Sequence, residues 1–177
     1  MTYYDKEMER NDLEYFLRAR ESATGEHLNL VTETESPDFI CNRIDGSQVG
    51  IEHTKIEYNP EYREILESCR RYDGELDNFA LLWAAAGALV KKEAKRTKSH
   101  WKLPDATILV LDLHEGYRVE VWPDCEEYSD EFSDSGFLEV WISDHSSIET
   151  HGEVTAIGLY PQSIWGIHGQ GYLWAPP

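Results

Sequence analysis

Ser36–Ile56 reads SPDFICNRIDGSQVGIEHTKI, and the folding of this stretch decides how the rest of the chain is read. A proline is tolerated at the first position of a strand, where its missing N–H breaks no ladder, so Asp38 to Asn42 is expected as a short strand behind Pro37. Asp45, Gly46 and Ser47 supply a turn. Val49 to Ile56 then returns as a second strand. In a regular pleat Val49, Ile51, His53 and Lys55 share one face, and Gly50, Glu52, Thr54 and Ile56 share the other. Asp38 heads one strand and Glu52 lies inside its neighbour, 14 positions later, so the two carboxylates can meet across the pair.

Upstream, Lys6 to Ala23 places Leu13, Phe16, Leu17 and Arg20 at helical spacing, with Met8 and Glu9 one turn earlier. Glu9 falls close to the apolar stripe and Glu14 at its border; of the two, Glu14 is the preferred candidate to enter a cleft. Thr24 and Gly25 end the helix, and His27 to Thr32 alternates as a first strand. Downstream, Tyr62 to Tyr72 and Glu75 to about Ser99 read as helices, the second with Phe79, Leu82, Ala86, Leu89 and Val90 on its apolar side. Ala106 to Leu113 is an unbroken apolar run, the pattern of a strand buried on both faces. Tyr117–Trp122, Gly136–Ile142, Val154–Tyr160 and Ile164–Ile167 complete the expected strands. Together these elements predict one α/β domain over residues 1–177, a central mixed sheet flanked by helices.

Composition narrows the function classes. The 34 acidic and 16 basic residues leave a formal net charge of −18, which repels polyanions unless basic residues are gathered in one place. They are: residues 91 to 102 hold six Lys or Arg and one acid, Glu93, whereas Asp112 to Glu149 holds twelve acids and one base, Arg118. Three cysteines without CxxC spacing fit a reducing compartment better than a disulfide scaffold. The charged N-terminus lacks the apolar core of a signal peptide. The longest apolar run, Phe79 to Val90, is too short to span a bilayer. The expectation is a cytoplasmic protein with no membrane partner.

Phosphodiester hydrolysis at neutral pH uses a divalent cation held by hard carboxylate oxygens, and Asp38 and Glu52 are the candidate ligands. Pro37-Asp38, a 13-residue gap and Glu52-His53-Thr54-Lys55 resemble the signature of the PD-(D/E)XK nuclease superfamily, whose fold is restriction-endonuclease-like. The resemblance spans about residues 6 to 113. It implies a helix with an acidic residue, three antiparallel strands carrying the aspartate and the Glu-x-Lys pair, then a helix and a further strand. It also implies Mg2+ or Mn2+ as cofactor, nucleic acid as substrate with DNA favoured over RNA, and Glu14, Asp38, Glu52, Thr54 and Lys55 as site residues. The departure is at Thr54, which occupies the lysine position. Lys55 follows one step later and points to the opposite face of a regular strand. Three remedies are open: a bulge that re-aims Lys55, a lysine from the long helix such as Lys91, Lys92 or Lys95, or a site that works without one. Lys91, Lys92, Lys95, Arg96 and Lys98 are the candidate phosphate contacts, and a partner protein that delivers substrate would supplement them.

A different class of function competes with this reading. An acidic protein of this size suits a non-catalytic binder of a basic partner, of the immunity or DNA-mimic type, using Asp112 to Glu149 as its contact surface. An inactive nuclease-fold scaffold is the third reading. The seven histidines show no HExxH or paired spacing, so no zinc site is expected, and His53 is read as packing or polar surface.

Overall fold

The computed structural model describes residues 3–56, 78–98, 100–114, 122, 126–146, 148 and 152–172. Helix α1 (Tyr3–Thr24) leads into β1 (Asn29–Glu33), β2 (Phe39–Asn42) and β3 (Gln48–Lys55). Helix α2 (Asn78–Arg96) precedes β4 (Thr107–Leu113), and a 3-10 turn with the short α3 (Asp130–Ser133) precedes β5 (Glu139–Asp144). Strands β6 (Glu153–Tyr160) and β7 (Gly166–Tyr172) close the chain. The seven strands of the described residues form one mixed sheet whose spatial order is β1-β2-β3-β4-β5-β6-β7. The β1–β2 and β2–β3 pairs are antiparallel, β3–β4 and β4–β5 are parallel, and β5–β6 and β6–β7 are antiparallel again.

Period-two alternation along the strands sorts their side chains into two cores on opposite faces of this sheet. Leu13, Phe16 and Ala19 of α1 pack on Phe39, Cys41, Val49, Ile51, Ile108, Val110, Trp141 and Ala156. Leu81, Leu82, Ala85 and Leu89 of α2 pack on Leu109, Leu111, Leu113, Val140, Ile142, Ile157 and Leu159. Every residue of β4 is buried, as its unbroken apolar run predicts. The α1 layer is tied at one end by Arg20, only 2% exposed, whose guanidinium donates to both Glu139 oxygens at 2.9 and 2.7 Å and to Glu26 at 2.6 Å.

The predicted elements are present with ends shifted by a few residues, apart from three. The strand expected at Ile164–Ile167 begins later: Gln162–Ile164 is a 3-10 turn, and β7 runs from Gly166, so that only Gly166 and Ile167 of the expected stretch pair with β6. The expected helix Tyr62–Tyr72 lies outside the described residues, as does all of Tyr117–Trp122 except Trp122. Among the described residues no helix is long and apolar enough to cross a membrane.

Candidate functional site

The β2–β3 hairpin pairs Phe39 with Ile51 and runs without a register shift to Asn42 and Gln48. Two bonds extend this pairing past the end of β2. The Glu52 Oε2 atom accepts from the Asp38 amide at 3.2 Å, and the Asp38 Oδ2 atom accepts from the His53 amide at 2.8 Å. The two carboxylates therefore become neighbours through the backbone itself. Gly50 is needed for this closure. A Cβ there would stand 2.5 Å from Pro37 Cγ and 2.7 Å from Thr107 Oγ1, so any side chain would push Pro37, and Asp38 behind it, away.

Glu52 is 4% exposed and sits on the α2 face of the sheet. Its charge is met from α2, where Lys92 Nζ donates to Glu52 Oε1 and, at 2.9 Å, to the His53 carbonyl oxygen. Of the lysines expected from the long helix, Lys92, forty residues after Glu52, is the one that reaches it. A bulge is not the remedy, because β3 pairs with β4 in unbroken register from Gly50–Thr107 to Lys55–Asp112. Lys55 is exposed at the strand's end.

Burial raises the Asp38 carboxyl above its ordinary value, against the hydrogen bond from His53 and the charge of Lys92. Glu52 is raised as well, first by burial and then by the neighbouring charge of Asp38. Two buried carboxylates thus share the single ammonium of Lys92.

Beside them lies a cleft of 690 Å³ between β3 and α2, lined by Thr54, Lys55, Trp83, Lys91, Lys92 and Lys95 among others. Trp83 is 73% exposed there. Of the five expected phosphate contacts, Arg96 is turned into the fold. It pairs with Glu93 at 2.9 Å, donates to the Pro104 and Ser135 carbonyls and lies over the Phe137 ring. Lys98 is exposed.

Glu14 is also exposed, and among the described residues it bonds to neither Asp38 nor Glu52. The α1 carboxylate that enters a cluster is Asp12, on the other face of the sheet. His114 Nε2 stands 3.3 Å from Asp12 Oδ2, and His145 Nδ1 stands 3.6 Å from Asp12 Oδ1. These three residues form a group able to hold a metal ion, their donor atoms all within 4.8 Å of one another. Histidine spacing alone gives no sign of this group. Of the two expectations for His53, packing is the one found: it is 8% exposed, stands edge-on to Phe16 and Phe39, and its Nδ1 bonds the buried Asp112 carboxylate at 2.9 Å. Burial lowers the His53 imidazole, but the charges of Asp112, Asp38 and Asp12 outweigh it, and the ring is held above its ordinary value. Burial raises Asp112 and is outweighed in turn by His53 and His145, which hold it well below the carboxylate range.

Sequence reading misses this group because its members lie 102 and 31 positions apart (114 − 12 and 145 − 114). The signal that was present is local. LDLH and ISDH each set a histidine just past the last residue of a buried strand, and in parallel strands those ends are adjacent. Comparison with known protein families, with curated proteins and with solved structures finds no match to this chain.

Proposed function

We propose that the protein is a divalent-metal-dependent nuclease, with Asp38 and Glu52 as metal ligands and Lys92 as the cation of the site. The observation that carries this reading is the convergence of Lys92 on Glu52 at the one position where the motif departs from Glu-x-Lys. The donor set fits Mg2+ or Mn2+: two carboxylates and the His53 carbonyl are hard oxygens, and the pair holds more negative charge than Lys92 offsets. The ion would polarise the scissile phosphate and acidify a water.

The protein's own groups do the rest. Asp38 and Glu52 are fixed by backbone bonds and need little reorganisation to receive a cation. Lys92 places an ammonium at Glu52, where it can orient the attacking water and balance charge developing on the phosphate. Lys55, Lys91 and Lys95 line the adjoining cleft and suit the phosphates flanking the scissile one, while Trp83 offers a face on which a base can stack. Such a cleft answers the net charge of −18 locally.

The test is cleavage of double-stranded DNA, single-stranded DNA and RNA with Mg2+, with Mn2+ and with chelator. Metal-dependent cleavage that disappears in Asp38→Asn, Glu52→Gln and Lys92→Met, each with the wild-type circular dichroism spectrum, is the expected result. Cleavage that survives in Asp38→Asn and Glu52→Gln refutes the assignment.

A further inference from the structure

The α1 face of the sheet carries a second set of polar groups that the nuclease reading does not use. Asp12 from α1, His114 from the end of β4 and His145 from the end of β5 converge there, within 4.8 Å of one another. They open on a separate cleft of 480 Å³, lined also by Met8, Asn11, Tyr15 and Ser146. His145 is 3% exposed, and its ring nitrogens face only carboxylates at long range, Nδ1 at 3.6 Å from Asp12 Oδ1 and Nε2 at 3.5 Å from Asp112 Oδ1, while His114 Nε2 stands 3.3 Å from Asp12 Oδ2. Buried imidazoles whose polar neighbours stand at the edge of hydrogen-bond range are poorly compensated, and a cation between them would close those gaps.

We infer that Asp12, His114 and His145 form a second cation site, taking a first-row transition ion of the zinc class with its open coordination position toward the cleft. Two imidazoles and one carboxylate are a borderline donor set that suits Zn2+ and its neighbours and is poorly matched to Mg2+. The donor atoms lie within 4.8 Å of one another, with Asp12 Oδ2 at 3.3 Å from His114 and Asp12 Oδ1 at 3.6 Å from His145, so a small closure brings them to the roughly 3.3 Å between ligand atoms around a tetrahedral zinc with bonds of about 2.0–2.1 Å. The two rings stack at 4.6 Å with 13° between their planes, so the more exposed His114 tilts out of the stack to share an ion with His145.

The buried surroundings also resemble those of a metal histidine. Such a ring usually turns its second nitrogen to a carboxylate, and His145 Nε2 faces Asp112 Oδ1 at 3.5 Å. Asp112 is in turn held by His53, whose backbone amide holds Asp38. The site stands independently of the nuclease assignment, since it shares no ligand with it.

The experiment is zinc retention by the full-length protein. After zinc loading and exhaustive dialysis, bound metal is measured by mass spectrometry and zinc affinity by calorimetric titration. His114→Ala and Asp12→Asn, which remove partly exposed side chains, test the ligands, and Asp38→Asn is the control for the other site. The expected result is one zinc per chain in the wild type and in Asp38→Asn, loss of that zinc in His114→Ala and Asp12→Asn, and a fall in affinity of about 10–100-fold in Asp112→Asn. A wild-type chain that keeps no zinc overturns the proposal. So does a zinc retained equally by His114→Ala and Asp12→Asn.

Discussion

Replacing Lys92 with methionine removes one partner of an ion pair whose side chains are 5% exposed at Glu52 and 14% exposed at Lys92. Breaking a buried pair from one side costs about 3–5 kcal/mol, because the remaining charge loses its counterion without regaining water. The residual exposure of Lys92 places the loss near the lower end, about 3 kcal/mol. With a urea dependence of about 2 kcal/mol per molar for a domain of this size, the unfolding midpoint of the metal-free protein falls by about 1.5 M. The double variant Lys92→Met/Glu52→Met replaces both charges with apolar groups of similar length and should return to within about 1 kcal/mol of wild type. The assay is urea unfolding of the wild type, both single variants and the double variant, read as a double-mutant cycle. A loss below about 1 kcal/mol in Lys92→Met, additive with Glu52→Met, would refute the reasoning: Lys92 would then be a solvated charge on α2.

Three further outcomes follow from other parts of the structure. Gly50→Ala should cost about 1–3 kcal/mol through overpacking against Pro37 and Thr107, and should lower cleavage by more than its stability loss explains because Asp38 moves with Pro37; thermal unfolding beside single-turnover cleavage checks this. Changing Lys91 and Lys95 to alanine should leave the fold unaltered and make the slope of log affinity against log salt shallower by about 0.7–0.9 for each phosphate no longer neutralised, measured by fluorescence anisotropy with labelled DNA. Arg20 and Arg43 together outweigh the burial that would raise Glu26, holding its carboxyl below the ordinary 4.5. The stability from that pairing is present above about pH 4.5 and lost as pH falls through the lower folded value. Acid titration of Arg20→Met followed by circular dichroism should therefore show a shallower loss of stability below pH 4.5 than the wild type.

The strands and both faces of β3 were legible because side-chain period is enforced by burial. Val49 and Ile51 on one side and Glu52 on the other follow from alternation once β3 lies inside the sheet. Asp38 and Glu52 were legible for the same reason, being fixed by a hairpin of short, countable length. Lys92 was named as one of three lysines on the right helix, but its selection depends on the rotation and axial position of α2 against β3, which no local pattern encodes. Arg96 shows the same limit from the other side. It belongs to the basic stripe by sequence, yet it is claimed by Glu93 and the carbonyls of Pro104 and Ser135 once the chain folds back. Glu14 and Asp12 are two residues apart, and a turn of about 100° per residue sends Glu14 toward solvent and Asp12 toward His114 and His145, a cluster on the sheet face opposite Glu52.

The sheet whose spatial order repeats the chain order also implies a schedule. Each strand pairs with the one made just before it, so a chain emerging from the ribosome can add β2 to β1, β3 to β2 and β4 to β3 without waiting for distant partners. Helix α1 is the exception: it precedes every described strand, yet it docks mainly on β7 and β6, which follow the other strands. The Asp38–Glu52–Lys92 cluster draws its side chains from residues 38 to 92, but α2 is seated on Leu109, Leu111 and Leu113, so it waits at least for β4. The Asp12–His114–His145 cluster waits for β5 and for α1 to settle, so of the two clusters it is the one whose formation reports that distant parts of the chain have met.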